Sequence, residues 1–111
     1  MKKFAVLVIV LVAIQFRGTI MAWFNPVDVR ELHPDYDVVL FATAWCGYCA
    51  KTRRLLAENS VDYFEYDIEK SSEGNDKYRL LSGRGVPLLV IGDEVIRGYQ
   101  PRVIERALDA L

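Results

Sequence analysis

The chain reads as an α/β fold, one four-stranded mixed sheet with helices on its faces, in the order β-α-β-α-β-β-α. Three observations predict it. Between Asp37 and Leu111, short apolar runs rich in β-branched and aromatic residues alternate with stretches of helical apolar spacing. The first two runs are separated by a helix-length segment, which makes them parallel through a crossover. The last two are joined only by Gly92-Asp93, a tight turn that makes them an antiparallel hairpin.

In order along the chain, Asp37-Val38-Val39-Leu40-Phe41 is continuous and apolar after its aspartate, the pattern of a buried strand. Gly47 to about Asn59 follows as a helix. Tyr48, Cys49, Thr52, Leu55, Leu56 and Asn59 recur at helical spacing there, with Lys51, Arg53, Arg54 and Glu58 outward. Val61 to Asp67 mixes aromatic and β-branched residues with alternating acids, a strand exposed on one side. Glu69 to Ser82 is a weaker helix. Gly74 and Asn75 spoil its start, Tyr78 and Leu81 supply an inner face, and Gly83 offers a stop. Val86 to Ile91 is the third strand and Glu94 to Arg97 the fourth. Pro101 suits a first helical position. Val103, Ile104, Ala107, Leu108 and Leu111 then form a stripe opposite Arg102, Glu105, Arg106 and Asp109, so a last helix packs on the sheet.

Two segments precede this domain at 37–111. Residues 1–24 open with Met1-Lys2-Lys3 and run apolar from Phe4 to Phe24, broken at Gln15 and at Arg17-Gly18-Thr19. A cationic start before an apolar stretch is the pattern of an export signal or an N-terminal anchor. The leading expectation is a retained membrane anchor, with Lys2 and Lys3 on the cytoplasmic side and Trp23 and Phe24 at the far interface. A signal cleaved after Ala22 is the second. Both put the domain in the periplasm or an equivalent outer compartment. A cytoplasmic protein, with an apolar helix on the domain or a start at Met21, is the third. Residues 25–36, with Pro26 and Pro34, read as a linker in which His33 is a solvated side chain.

Composition removes several function classes. The chain carries 14 Lys+Arg and 15 Asp+Glu, and from Asn25 onward eleven cations face fifteen anions, leaving -4. That balance lacks the basic face a nucleic-acid binder needs. A hydrophobic content of 52% excludes disorder over most of the length. Two cysteines are too few for a disulfide-stapled scaffold. With one histidine they are also too few for a structural zinc site within one chain.

Both cysteines fall in one C-x-x-C, Cys46-Gly47-Tyr48-Cys49, where the first strand ends and a helix begins. A thiolate at a helix N-terminus is stabilised by free backbone N–H groups and the positive end of the dipole. Cys46 would sit there. Cys49, one turn on and more buried, can attack a mixed disulfide formed on Cys46. Lys51, Arg53 and Arg54 would add positive charge nearby. The rival readings are a static disulfide, a metal or iron–sulfur ligand pair shared between chains, and a non-catalytic interaction domain. Trp45, Tyr48 and Tyr99 each face substrate or simply pack their loops. Gly85-Val86-Pro87 enters the third strand, and a cis bond there would turn the Val86 backbone towards a ligand.

The stretch from Val38 to Cys49, with Gly85-Val86-Pro87 and Gly98-Tyr99-Gln100-Pro101, resembles the glutaredoxin family of the thioredoxin superfamily over Asp37 to Leu111. The resemblance implies a thioredoxin-like fold and a thiol–disulfide oxidoreductase, with Cys46 as nucleophile and Cys49 as resolving thiol. It implies a cis Pro87, a Val86 backbone that pairs with the substrate, and a substrate surface of Trp45, Tyr48, Val86, Pro87, Gly98 and Tyr99. The partners implied are disulfide-bearing proteins or glutathione, handled by a monomer that needs no resident cofactor. Family members that use glutathione commonly carry a lysine where this chain has Thr43. They also carry acids in the stretch that is here Arg97 to Pro101. The Gly-aromatic-x-Pro ending is closer to redoxins that take electrons from thioredoxin reductase, so both electron sources stay open.

Overall fold

The computed structural model describes residues 5–11 and 28–111. Residues 5–11 are helical (α1) and exposed, and the rest of the apolar 1–24 segment lies outside the described residues. Among the described residues no helix is long and apolar enough to cross a membrane.

The sheet is built around β1 (Val38–Ala42), whose five residues are all buried. A strand buried on both faces needs apolar residues at every position, and β1 has them. Its period-two alternation divides the core in two. Val38, Leu40 and Ala42 point to one face, with Leu89, Ile91 and Ile96. Val39 and Phe41 point to the other, with Leu88 and Val90. β2 (Phe64–Asp67) lies parallel to β1 with Val39 opposite Phe64 and Ala42 opposite Asp67. β3 (Leu88–Ile91) is antiparallel on its other side, and β4 (Glu94–Arg97) closes the hairpin at the edge. The order is β2-β1-β3-β4, a mixed sheet as predicted.

Helices α3 (Gly47–Glu58) and α5 (Pro101–Asp109) cover the first face through Leu55, Leu56, Ile104 and Ala107. Helix α2 (Val29–Leu32) and the end of α4 (Ser72–Leu80) cover the second, through Val29, Leu32 and Leu81. Four details depart from the sequence reading. β2 starts at Phe64, not Val61. The chain leaves α3 through a left-handed Ser60 (φ 55°), and the Val61 N–H donates to the Leu56 carbonyl at 3.0 Å, so Val61 is still part of the helix exit. β3 starts at Leu88 because Pro87 has no N–H for the ladder. Residues 28–36 are no free linker. Asp28 caps α2, Val29 and Leu32 are buried, and the Val29 N–H reaches the Gly92 carbonyl at 2.9 Å. His33 is not solvated but half-buried, stacked on Phe64 with ring centroids 4.4 Å apart.

The fourth departure concerns Gly74. Its position in α4 looked like a weakness, yet it is where the helix touches the sheet. A Cβ on Gly74 would lie 2.7 Å from the Tyr66 Cβ, so only glycine lets the backbone come this close. Ser71 Oγ accepts the Gly74 N–H at 2.9 Å and supplies the helix start instead. At the other end the left-handed residue is Ser82 (φ 56°), while Gly83 is pressed against the Tyr78 ring.

Candidate active site

β1 delivers the chain to Cys46, which has extended backbone angles and is the N-cap of α3. Its Sγ accepts the Cys49 N–H at 3.1 Å, one of the amide donors that a helix start leaves without a backbone partner. The Cys46 carbonyl takes the Ala50 N–H at 3.2 Å, so the sulfur is held by the helix it begins. Both cysteines are free thiols, Cys46 8% exposed and Cys49 fully buried. Attack from outside can therefore reach only the first.

The loop before β3 closes over this point. The Val86–Pro87 bond is cis, and the Val86 carbonyl oxygen lies 3.8 Å from the Cys46 Sγ. The Val86 N–H donates to no backbone carbonyl among the described residues. The Gly98 N–H donates to the Pro87 carbonyl at 2.9 Å, tying the β4–α5 turn to the same place. Tyr99, next in that turn, stacks on Tyr48 with centroids 6.2 Å apart, and the Lys51 Nζ lies 5.3 Å from the Tyr48 centroid. The structure thus brings Cys46, Cys49, Tyr48, Val86, Pro87, Gly98 and Tyr99 together. Trp45, 75% exposed, belongs to the opposite flank, where its indole N–H donates to Glu69.

The electrostatics differ from expectation in one respect. Arg53 is not an outward cation beside Cys46. It holds Glu65 with two hydrogen bonds of 2.7 and 2.9 Å and donates to the Thr43 carbonyl at 3.2 Å. Its charge acts on Cys49. Burial pushes the Cys49 thiol from 9.0 up to about 11, and its hydrogen bond to Cys46 and the Cys46 charge add to that. The Thr43 backbone and Arg53 pull the other way. Glu69 and Glu65 are the residues that sequence reasoning missed at this site; Thr43, noted in the sequence only as the place of the family lysine, acts here through its backbone. The alternating acids of the second strand hinted at Glu65. Nothing in the sequence pointed to Glu69. Among the described residues, no three His, Cys, Asp or Glu side chains converge as a metal site would require.

A redox-capable cysteine pair between a strand end and a helix start, facing a cis-proline loop, has known counterparts. The family model described as Glutaredoxin matches residues 38–96, just over half the chain. The chain belongs to the glutaredoxin family. It is 35% identical over 78 residues to the glutaredoxin of Pseudomonas aeruginosa, covering 67% of this chain and 93% of that one. Another curated relative is matched over only 55% of its own length. Of solved structures, the glutaredoxin-like NrdH-redoxin from Escherichia coli superposes with a TM-score of 0.58 at 22% identity, over 62% of this chain and 91% of that chain. A buckwheat glutaredoxin–glutathione complex gives 0.56 at 24%, over 74% and 77%. The fold is the thioredoxin-like one of glutaredoxin type, and the chain is a glutaredoxin-family thiol–disulfide oxidoreductase.

Proposed function

We propose that this family member reduces or exchanges protein disulfides through Cys46, with Cys49 resolving. One observation carries the reading: Cys46 is the shallower thiol, held at the α3 start by the Cys49 N–H, with the Val86 carbonyl 3.8 Å from its sulfur. The Cys46 thiolate attacks one sulfur of the substrate disulfide. A new S–S bond forms to Cys46, and the other substrate sulfur leaves as a thiolate and takes a proton from solvent. Cys49 then loses its proton and attacks the Cys46 sulfur. The second substrate thiol departs, the substrate has gained two electrons, and the protein is left with a Cys46–Cys49 disulfide. An external dithiol or two small thiols restore the reduced form.

The causes acting on Cys49 order these steps. Two of the effects that raise its proton affinity, the hydrogen bond to Cys46 and the Cys46 charge, vanish once Cys46 is a mixed disulfide. The remaining pull of Thr43 and Arg53 is then opposed by burial alone. The event that resolution must follow therefore lowers the resolving thiol's hold on its proton.

Glutathione is the second reading, favoured by the glutathione-bound buckwheat neighbour. Thr43 counts against it: where the family lysine would reach out, this side chain is 2% exposed with its hydroxyl unpartnered. The compartment proposed is the outer one, with residues 4–24 as the tether. The test is a pair of variants in a peptide-disulfide turnover assay. Cys46→Ser should abolish turnover and Cys49→Ser should accumulate a mixed disulfide visible by mass spectrometry. Full activity in Cys46→Ser excludes the mechanism.

A further inference from the structure

The charges around the two thiols are sorted by side, and the sorting selects a partner. On the cis-proline side an open groove of about 380 Å³ is lined by Gly85, Val86, Gly98, Arg84 and Arg97 among others, with no acid. Across the Gly98-Tyr99 turn a second groove, about 250 Å³, is bordered by Tyr99, Lys51, Arg54 and a single acid, Glu58. Lys51, Arg54 and Arg84 are exposed, and none takes part in the three ion pairs found among the described residues. On the far flank the acids outnumber the cations: Glu69 holds Trp45, Asp67 at the end of β2 accepts the Glu69 and Lys70 N–H groups, and Lys70 is the exposed cation beside them. This is a local inversion, since the chain from Asn25 onward is net -4.

We infer that the face formed by Arg84, Arg54 and Lys51 docks an extended acidic polypeptide whose disulfide is presented to Cys46. The inference rests on the exchange reaction proposed above and names its substrate class. Val86 joins the first groove to the nucleophile, because its carbonyl is 3.8 Å from the Cys46 Sγ. A chain seated there runs past Arg84 on one side of its disulfide. On the other it meets the Tyr48–Tyr99 pair, over which Lys51 lies. Carboxylates flanking the target cysteine on that side find cations. Carboxylates on the Trp45 side would meet Glu69. Exposed charges attract over roughly a Debye length, so the selection acts mainly on encounter and fades with salt.

Two synthetic peptides test this, each with one cysteine in disulfide linkage to a small neutral thiol, flanked by three Glu in one and three Lys in the other. With the full-length reduced protein at low ionic strength, kcat/KM should favour the acidic peptide about tenfold, and the preference should shrink towards unity in 0.5 M NaCl. In Arg54→Glu/Arg84→Glu, checked for native far-UV circular dichroism, the preference should reverse. Equal rates for the two peptides, or a preference that survives both salt and the double variant, overturns the inference while leaving the exchange chemistry standing. No turnover of either peptide removes the exchange reading itself. Binding to phosphatidylserine vesicles that the double variant abolishes, with no peptide preference, assigns the face to a membrane and overturns the proposal.

Discussion

Raising the pH of the reduced protein should destabilise it through Cys49. Folding holds this thiol's proton up to about 11 against 9.0 for an unconstrained cysteine. Below pH 9 the group is protonated in both states and contributes no slope. Between 9 and 11 the unfolded chain gives up the proton while the folded one keeps it, so ionisation favours unfolding. The loss is about 1.4 kcal/mol per pH unit, or about 3 kcal/mol across the window. Tyr63 and Lys77 are also held above their ordinary values, the first by burial and the second by Glu73 and Tyr66 against the cost of burial. Both add slopes of the same sign at high pH, so the readout is a difference. Urea unfolding by circular dichroism under a phosphine reductant, from pH 7.5 to 11, should show the wild-type curve falling about 3 kcal/mol further than that of Cys49→Ser. S-methylation of Cys46 should shrink the gap, because two of the causes that raise Cys49 come from Cys46. Parallel curves for wild type and Cys49→Ser would refute the reasoning.

Other perturbations separate packing from propensity and platform from chemistry. In Gly74→Ala, helix propensity gains about 1 kcal/mol, but the new Cβ meets Tyr66 at 2.7 Å. Tyr66 is 5% exposed and stacked on Phe41, so it has no room to retreat. Overpacking should win by about 1–2 kcal/mol, a Tm drop of roughly 5–10 °C in calorimetry. Gly47→Ala, whose Cβ meets nothing within 4 Å, should raise Tm slightly, and the same sign for both variants would show the Tyr66 contact to be unimportant. Glu69→Ala frees the Trp45 indole and should raise KM for a peptide disulfide about threefold with kcat nearly unchanged, on the order of one exposed hydrogen bond. A loss in kcat instead would mean that Glu69 acts on the thiols.

Much of this architecture was legible in the residues. The apolar run Val38–Phe41, the helical spacing after Cys46, the Gly92-Asp93 turn and Pro101 are local signals, each set by the chain's own period or by a restricted φ. A crossover and a hairpin then gave the mixed sheet, while the order β2-β1-β3-β4, with β1 antiparallel to β3, came only from the folded structure. Where the reading slipped, a distant partner had decided the matter. Gly74 breaks a helix by local rules, yet it is required by Tyr66 on the neighbouring strand. Pro26 and Pro34 suggested a linker, yet Val29 and Leu32 found a core to enter. Arg53 looked like one more outward cation until Glu65, twelve residues away, took it.

The sequence by itself determined that two thiols would share one helical turn at the end of a buried strand, because that spacing and that strand are local facts. Only the tertiary structure decided how completely each thiol is sheltered and what surrounds it. Cys49 keeps its proton because α3, packed against the sheet, holds it out of water, and that burial outweighs the opposite pull of the Thr43 backbone and Arg53. Cys46 faces Val86 because a loop forty residues on is folded over it. Burial and electrostatic fields are sums over neighbours in space, and neighbours in space are assembled only when the sheet closes.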